Sequence, residues 1–282
     1  MEKTGLSFNW KSILSRTLLI SVVLVLFLPT FFWMHERFFE EHSYYTHGWL
    51  IPLAIAFLLY QRREIIARER PQPSWFGLPV LAGGLSLHIF AQFFGINFLS
   101  GVALPVVVFG LILMQWGWPR SRYIIGPFLL SVFMIPLPGI WIITIAFHLK
   151  LYSAGIGVAL VRLLGITIIP NGIEIVLPTA PPGEILTIGD PCSGLRSLLS
   201  FGALGAFFAL LLPLSVSRRG IVFLTAILLA PFSNILRVVS LIILRQTVGP
   251  GILSGPWHIM LGVLIFFLCF IVLLQVIRWL LR

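Results

Sequence analysis

The chain has 282 residues, of which 59% are hydrophobic and only 10% charged, and its mean hydropathy is +1.04. A soluble domain of this size could not bury so much apolar surface, so the composition excludes a soluble globular protein and indicates a polytopic α-helical membrane protein. The net charge of +10 is not gathered on a basic soluble face, and we therefore expect no nucleic-acid partner.

The first half of the chain predicts five membrane spans. They cover approximately residues 13–34, 44–60, 75–94, 98–116 and 123–137. The loop 61–70 carries four arginines, and an excess of Arg and Lys is typical of cytoplasmic loops. The amino terminus is then cytoplasmic as well, and the acidic segment 35–45 lies outside.

Segment 140–165 is apolar enough to span the membrane, but it carries His148, Lys150 and Arg162. The loops on either side require both of its ends to lie outside. We interpret it as an interfacial or re-entrant helix. The alternative is a true span, which would shift the boundary of another predicted span.

Residues 166–189 change to short β-branched runs separated by turn residues. Pro170-Asn171-Gly172 and Pro181-Pro182-Gly183 are turn sequences, so the segment predicts three short strands. It contains acidic residues but no Lys or Arg, which fits the outer side. We expect a small extracytoplasmic β-element before the next helix.

Three further spans, over residues 193–214, 220–245 and 257–281, complete the chain. Thirteen of the nineteen Lys and Arg residues then fall in cytoplasmic segments. This asymmetry supports about eight transmembrane helices with both termini in the cytoplasm. We predict one membrane-embedded domain, 1–282.

The stretch from Asp190 to Arg196 precedes the sixth predicted span and contains Cys192, one of two cysteines. Asp190 suits an N-cap and Pro191 the first helical position. Cys192 would then lie at a helix start, where unpaired N–H groups lower the pKa of a thiol. It would also share a helix face with Arg196, one turn on. We interpret Cys192 as a nucleophile.

Two other reactive side chains reach the same outer level in this topology. His258 opens the eighth span, and Arg237 lies in the seventh, about 12 Å below its outer end. An arginine inside a span costs roughly 2.5–3.5 kcal/mol and therefore usually has a partner or a function. Asn234 and Ser240 lie on the same helix face and could orient the guanidinium.

Cys192, Arg237 and His258 form a set suited to acyl transfer. The thiolate attacks a carbonyl, the imidazole transfers protons, and the guanidinium holds the oxyanion or orients the substrate. Taken singly, each has a structural interpretation: a small buried thiol, an ion-pair member and an interfacial histidine.

These motifs resemble the exosortase/archaeosortase family of membrane-embedded cysteine transpeptidases, from about residue 44 to the end of the chain. The matching pieces are Cys192-Ser193-Gly194-Leu195-Arg196-Ser197, Asn234-Ile235-Leu236-Arg237-Val238-Val239, the late His258, and Tyr45-Thr46-His47-Gly48-Trp49-Leu50-Ile51-Pro52. Pro191 is a departure, because the family has a small residue such as Ala before the Cys.

The resemblance implies that Cys192, Arg237 and His258 are the catalytic residues. It further implies cleavage of a PEP-CTERM-like carboxy-terminal sorting signal on exported proteins through a thioester. The new carboxyl end then passes to an acceptor in the membrane lipid or the cell envelope. The enzyme would lie in the cytoplasmic (inner) membrane with its active site facing outward.

Four residues are expected to support the site or bind substrate: Arg196, Asn234, Ser193 and His47. No cofactor is expected, and the spacing of the early histidines fits no common zinc pattern. One alternative is a transporter or channel, but the chain has no inverted repeat and no deep acidic residue. Another is a non-catalytic assembly factor for exopolysaccharide export, which should tolerate loss of the Cys192 sulfur.

Overall fold

The computed structural model describes residues 10–172, 174–176, 185–187, 193–249 and 256–282. The helices of this part of the chain are α1 Trp10–Leu26, α2 Leu28–Phe39, α3 Leu50–Gln61, α4 Arg63–Arg68, α5 Gly77–Phe93, α6 Asn97–Leu129, a 3₁₀ helix Leu130–Met134, α7 Gly139–Leu163, α8 Leu195–Leu211, α9 Val216–Val248 and α10 Pro256–Leu281. Three short strands, β1 Ile169–Asn171, β2 Glu174–Val176 and β3 Ile185–Thr187, form an antiparallel sheet in the order β1-β2-β3 within the segment 166–189.

Helix α6 consists of two antiparallel legs. Gly117 has φ 66° and ψ −178°, a conformation that favours glycine, and a β-carbon there would overlap the carbonyl oxygen of Gln72. Beyond Gly117 the chain runs back along the first leg. The contact between the Ile135 side chain and the Gly101 backbone shows this. A continuous helix would separate these two residues by about 51 Å. The legs correspond to the intervals 98–116 and 123–137 of the sequence prediction.

Arginines close one end of the helix bundle. Arg62, which follows α3, donates hydrogen bonds to the carbonyls of Tyr123 (2.8 Å) and Leu210 (2.9 Å). Arg218 donates to the carbonyl of Leu280 at 2.6 Å. The carbonyls of Leu210 and Leu280 lie in the last turns of α8 and α10. Backbone acceptors in a last turn lack helical partners, and the helix dipole is negative there. We call this the basic end, and we call the opposite end, where α6, α8 and α10 begin, the site end.

A buried hydrogen-bonded chain joins α2, α5 and α6 nearer the site end. The Ser100 hydroxyl lies 2.5 Å from Thr30 Oγ1 and 2.8 Å from His88 Nδ1. All three side chains are at most 2% exposed. Because buried polar groups in an apolar environment need partners, this chain fixes how the three helices pack against each other.

The predicted count of about eight spans is not confirmed. Within the described residues, four helical segments are long and apolar enough to cross a membrane: Asn97–Met134, Gly139–Leu163, Val216–Val248 and Ile259–Leu281; the bent pair α1–α2 makes a fifth if it is one span. The first of these segments contains both antiparallel legs of α6. The apolar helices α3, α5 and α8 have only 12, 17 and 17 residues. Twelve residues extend about 18 Å, less than the apolar layer of about 30 Å. The protein is a multi-pass, α-helical membrane protein.

Helix α7 corresponds to the ambiguous segment 140–165. Near its start, Trp141 packs on Phe98 at the beginning of α6, with ring centroids 5.7 Å apart. Twelve residues later, Ser153 accepts a hydrogen bond from Asn234, at the level where α8 begins. A perpendicular helix would have moved about 18 Å toward the basic end over this stretch. Further along, Gly157 packs on Val238, so from Ser153 onward α7 runs alongside α9, and its 25 residues are long enough to cross a membrane. The interfacial interpretation therefore stays a prediction.

Candidate active site

Helix α8 begins later than the sequence predicts. Its N-cap is Gly194, with φ 78° and ψ −8°, and its first helical residue is Leu195. A left-handed residue is not part of a right-handed helix, so α8 does not extend back to the predicted start; Asp190, predicted as N-cap, and Pro191, predicted as first helical residue, lie outside the described residues. The predicted helix face shared by Cys192 and Arg196 is wrong for the same reason, because α8 starts after Cys192. Cys192 itself lies outside the described residues.

The backbone that follows Cys192 is held against two other helices. A β-carbon on Gly194 would lie 3.0 Å from three side-chain atoms of Asn234 in α9, so only a residue without a side chain permits this approach. Asn234 is 3% exposed, and its Nδ2 donates a hydrogen bond to Ser153 Oγ in α7 at 2.9 Å. Ser193 is buried as well. The start of α8 is therefore positioned by α9, which is positioned in turn by α7.

Arg237 reaches from α9 to α10. Its guanidinium lies on the backbone of Gly262, where a β-carbon would be 3.0 Å from Cζ and 3.2 Å from Nε and Nη2. Gly262 follows His258 by four residues, so the two positions share one face of α10. The His258 side chain lies outside the described residues, but its backbone places it one helical turn from the Arg237 guanidinium. Sequence reasoning missed Gly262; an isolated glycine one turn after His258 in an apolar helix was the available signal.

Arg196 lies in the first turn of α8 and is half-buried. It interacts electrostatically with both Tyr44 and Arg237. Its Nε is buried and makes no hydrogen bond within the described part of the chain. Below it, Leu199 packs in a cluster that includes Tyr44 and Tyr45. The turn before α3 therefore adjoins the start of α8, and Tyr44 joins the candidate site as a residue that sequence reasoning did not single out.

The structure places His47 differently from the other predicted residues. It lies in the turn before α3, half-buried, and its ring stacks on that of Tyr45 with centroids 6.2 Å apart. Both ring nitrogens are buried, and neither meets hydrogen-bond geometry with any described residue, although the Phe133 main chain is close. The Tyr45 hydroxyl accepts a hydrogen bond from the backbone N–H of Leu137 at 3.0 Å. These contacts attach His47 and its neighbour Tyr45 to the 3₁₀ helix Leu130–Met134 and the residues that follow it.

The assembled geometry is electropositive. The start of α8 meets the middle of α9 at Asn234, and α10 meets it two turns from its own start, at Gly262. Within the described residues, the two guanidiniums Arg196 and Arg237 and the N-terminus of α8 supply positive charge here. Such a site stabilises negative charge, including a thiolate and the oxyanion of an acyl-transfer intermediate. No group of three or more His, Cys, Asp or Glu residues in the described ranges is arranged to hold a metal ion.

Comparison with known proteins adds one finding. The family model described as transmembrane exosortase matches residues 33–275, which is most of the chain and includes Cys192, Arg237 and His258. The match confirms the resemblance that the motifs indicate. No curated protein and no solved structure matches the chain.

Proposed function

The chain belongs to the transmembrane exosortase family, and from this premise we propose that it is a membrane cysteine transpeptidase. Its substrates are exported proteins that carry a carboxy-terminal sorting signal of the PEP-CTERM type. It cleaves this signal through a thioester on Cys192 and transfers the new carboxyl end to an acceptor in the membrane or the cell envelope.

The observation that best supports this proposal is the position of the Arg237 guanidinium, one helical turn from His258 on α10 and one turn from Asn234 on α9. Because Gly194 packs on Asn234, the segment that follows Cys192 meets the same place. These contacts link the start of α8, the middle of α9 and the second turn of α10, next to which Cys192, Arg237 and His258 stand in the sequence, and this supports the proposal.

In the proposed first step, the Cys192 thiolate attacks the scissile carbonyl carbon and Arg237 stabilises the resulting oxyanion. The C–N bond then breaks, and His258 gives a proton to the leaving amine. In the second step the acceptor amine attacks the thioester and loses its proton to His258, which releases the Cys192 thiolate. Each step balances without a cofactor.

The proposed orientation has the site end outside the cytoplasm and both chain termini inside. The arginines of the basic end support it, because cytoplasmic segments of inner-membrane proteins are enriched in Arg and Lys. Among them are Arg62 and Arg218, whose guanidiniums hold helix carbonyls, so this charge is built into the bundle.

The test is co-expression with a tagged protein that carries a candidate sorting signal, followed by mass analysis of the product. We expect processing by the unaltered chain and none by Cys192→Ala or Cys192→Ser. Cys269 is the matched control, because it is the other cysteine and is buried in the apolar core around α10. Cys269→Ala should process normally, and the added mass of its product identifies the acceptor. Equal processing by Cys192→Ala would exclude Cys192 as the nucleophile and with it the proposed thioester.

A further inference from the structure

A cavity of about 610 Å³ lies between α1, α3 and the two legs of α6. All of its lining residues belong to α1, α2, α3, α6 and the 3₁₀ helix, so it is separate from the candidate active site on α8, α9 and α10. One face of the first leg of α6, which includes Leu104 and Val108, forms one wall. Leu19 and Ile20 on the α1 wall are exposed, so this wall borders the lipid and a chain can enter from the side.

The cavity extends inward from one boundary of the membrane. The first leg of α6, from Asn97 to Trp116, is about 29 Å long, close to the apolar layer of about 30 Å. Trp116 lines the cavity at the basic end of this leg, and Leu104 lines it at the other end, about 18 Å deeper. One leaflet occupies half of the apolar layer, about 15 Å. The cavity therefore matches the acyl chain of a single leaflet in length.

The volume and the walls of the cavity also favour an acyl chain over a helix of another protein. A helical segment 18 Å long and 10 Å across would fill about 1,400 Å³, more than twice the space present. The walls are mainly aliphatic and aromatic side chains. The Ser131 hydroxyl among them already donates a hydrogen bond to the Phe128 carbonyl at 2.7 Å, so it requires no partner from an occupant.

The end of the cavity at Gln115 and Trp116, which we call its polar end, carries unused hydrogen-bond donors. Neither of these side chains makes a hydrogen bond within the described residues. The Arg120 guanidinium carbon lies 5.9 Å from the centroid of the Trp116 ring. Arg120 Nε donates to the Glu69 carbonyl at 2.7 Å, but the Glu69 carboxylate pairs with Arg122 at 2.8 Å. Both Nη groups of Arg120 thus lack a hydrogen bond or ion pair in the described part of the chain.

These donors match the headgroup of an anionic phospholipid. A guanidinium binds a phosphate through parallel hydrogen bonds from its planar N–H groups. An indole N–H and a glutamine amide can donate to the ester carbonyls, which lie between the phosphate and the acyl chains. The basic end adds a surrounding positive charge, and basic pockets between helices bind anionic headgroups. Charge and length therefore point to the same occupant.

We propose that this cavity holds one acyl chain of an anionic phospholipid from the leaflet at the basic end, with the phosphate bound by Arg120. The site lies at the opposite end of the bundle from the candidate active site and does not depend on the proposed function. A lipid bound here fills the space between α1 and α6 and stabilises the folded chain by mass action.

Binding is measured on the purified full-length chain in detergent by native mass spectrometry. The probes are a phosphatidylglycerol and a phosphatidylcholine with the same acyl chains. We expect the anionic lipid to bind more tightly. Arg120→Gln should weaken phosphatidylglycerol binding about tenfold or more, because a charge-assisted hydrogen bond is lost. Arg68→Gln is the matched control, since Arg68 is an exposed arginine at the end of α4, and it should bind as the unaltered chain does.

A second pair of variants tests the cavity itself. Val108→Phe places a larger side chain in the open space and should also weaken phosphatidylglycerol binding about tenfold. Its control is Val272→Phe in α10, at a position that is 48% exposed and outside the cavity lining. Trp116→Phe removes only the indole N–H and should have a smaller effect than Arg120→Gln. It decides the headgroup part of the proposal if Arg120→Gln does not fold.

The proposal requires that both parts of the site contribute. Loss of affinity in Arg120→Gln alone would mean a headgroup contact on the surface without the cavity, and loss in Val108→Phe alone would mean an apolar pocket without headgroup recognition. Either result would overturn it, as would equal affinity for the two lipids. A phosphatidylglycerol with a photoreactive group in its acyl chain locates the chain, and we expect crosslinks to residues 104–116 of α6. Crosslinks confined to α9 or α10 would contradict the assignment.

Discussion

Gly262 shows how a residue without a side chain determines where a charged one lies. A β-carbon at this position would be 3.0 Å from Arg237 Cζ, closer than side chains normally pack. The guanidinium therefore lies where a larger side chain at position 262 would displace it. In a span, such a position holds an arginine against a helix backbone rather than against lipid.

Substitution of Gly262 should therefore displace Arg237 and reduce cleavage without destroying the fold. We expect Gly262→Val to lower the cleavage rate by at least tenfold, in line with the loss of one oxyanion donor. Gly262→Ala should have a smaller effect, because the guanidinium can move by a few tenths of an ångström.

The matched control is Gly83→Val in α5, where nothing lies within 4 Å of the added β-carbon. Cleavage of a tagged substrate in membranes is the measurement, with protein level as the check on folding. Normal activity of Gly262→Val would mean that this contact does not position Arg237 for the reaction.

The interface between α7 and α9 combines an apolar cluster with a polar contact. The bond from Asn234 to Ser153 joins α9 to α7, and the neighbouring Gly157 lets Val238 approach α7 closely. Small residues at helix interfaces in membranes permit such contacts, and interhelical hydrogen bonds there contribute about 0.6 kcal/mol on average.

A double-mutant cycle on Asn234→Ala and Ser153→Ala tests this bond. We expect a coupling of about 0.6 kcal/mol, and at most about 1.7, in the free energy of unfolding measured in mixed micelles. Asn234→Ala combined with Thr144→Ala is the control and should be additive, because the Thr144 hydroxyl bonds within its own helix to Ile140. Additivity in the Asn234–Ser153 pair would show that the two helices are held together by apolar packing alone.

At the basic end, Arg62 ties α3 to the second leg of α6 and to the last turn of α8. Arg62→Gln cannot make both bonds, so we expect a loss of about 1.5–3 kcal/mol in unfolding free energy. Arg68→Gln, at the exposed end of α4, should stay within about 0.5 kcal/mol. Equal effects of the two substitutions would mean that Arg62 contributes only surface charge.

At the scale of the whole molecule, the course of α7 decides which side of the membrane each later segment faces. Its contacts with Phe98 and Asn234 both lie at the site end. If α7 lies along the interface, both of its ends are on the same side and the direction of α8, α9 and α10 is as the arginine distribution predicts. If α7 crosses the membrane, the boundary of one predicted span earlier in the chain must shift.

Cysteine labelling distinguishes these arrangements. In a background with Cys192→Ala and Cys269→Ala, we expect Ile140→Cys and Leu163→Cys to react with an impermeant maleimide added outside intact spheroplasts. Arg68→Cys should react only after permeabilisation. Reaction of Ile140→Cys and Leu163→Cys from opposite sides would establish α7 as a true span.

The sequence alone was sufficient for the membrane class, the family and the intervals of most helices. Hydropathy and turn residues are local properties, so the break between the two legs of α6 and the segment of short strands follow from neighbouring residues. The types of residue needed for acyl transfer were equally visible, because Cys192, Arg237 and His258 are rare groups in an apolar chain.

Only the tertiary structure decided the start of α8, the number of helices long enough to cross, and the environment of Arg237. Local capping rules favoured Asp190 and Pro191, but α8 begins at Leu195, after Gly194, which has a left-handed backbone and packs closely on Asn234. The contact between Arg237 and Gly262 joins two helices whose relative rotation no local pattern encodes. Both the start of α8 and the contact between α9 and α10 depend on which helix faces pack together. Close packing of the whole bundle determines this, and no single segment of the sequence does.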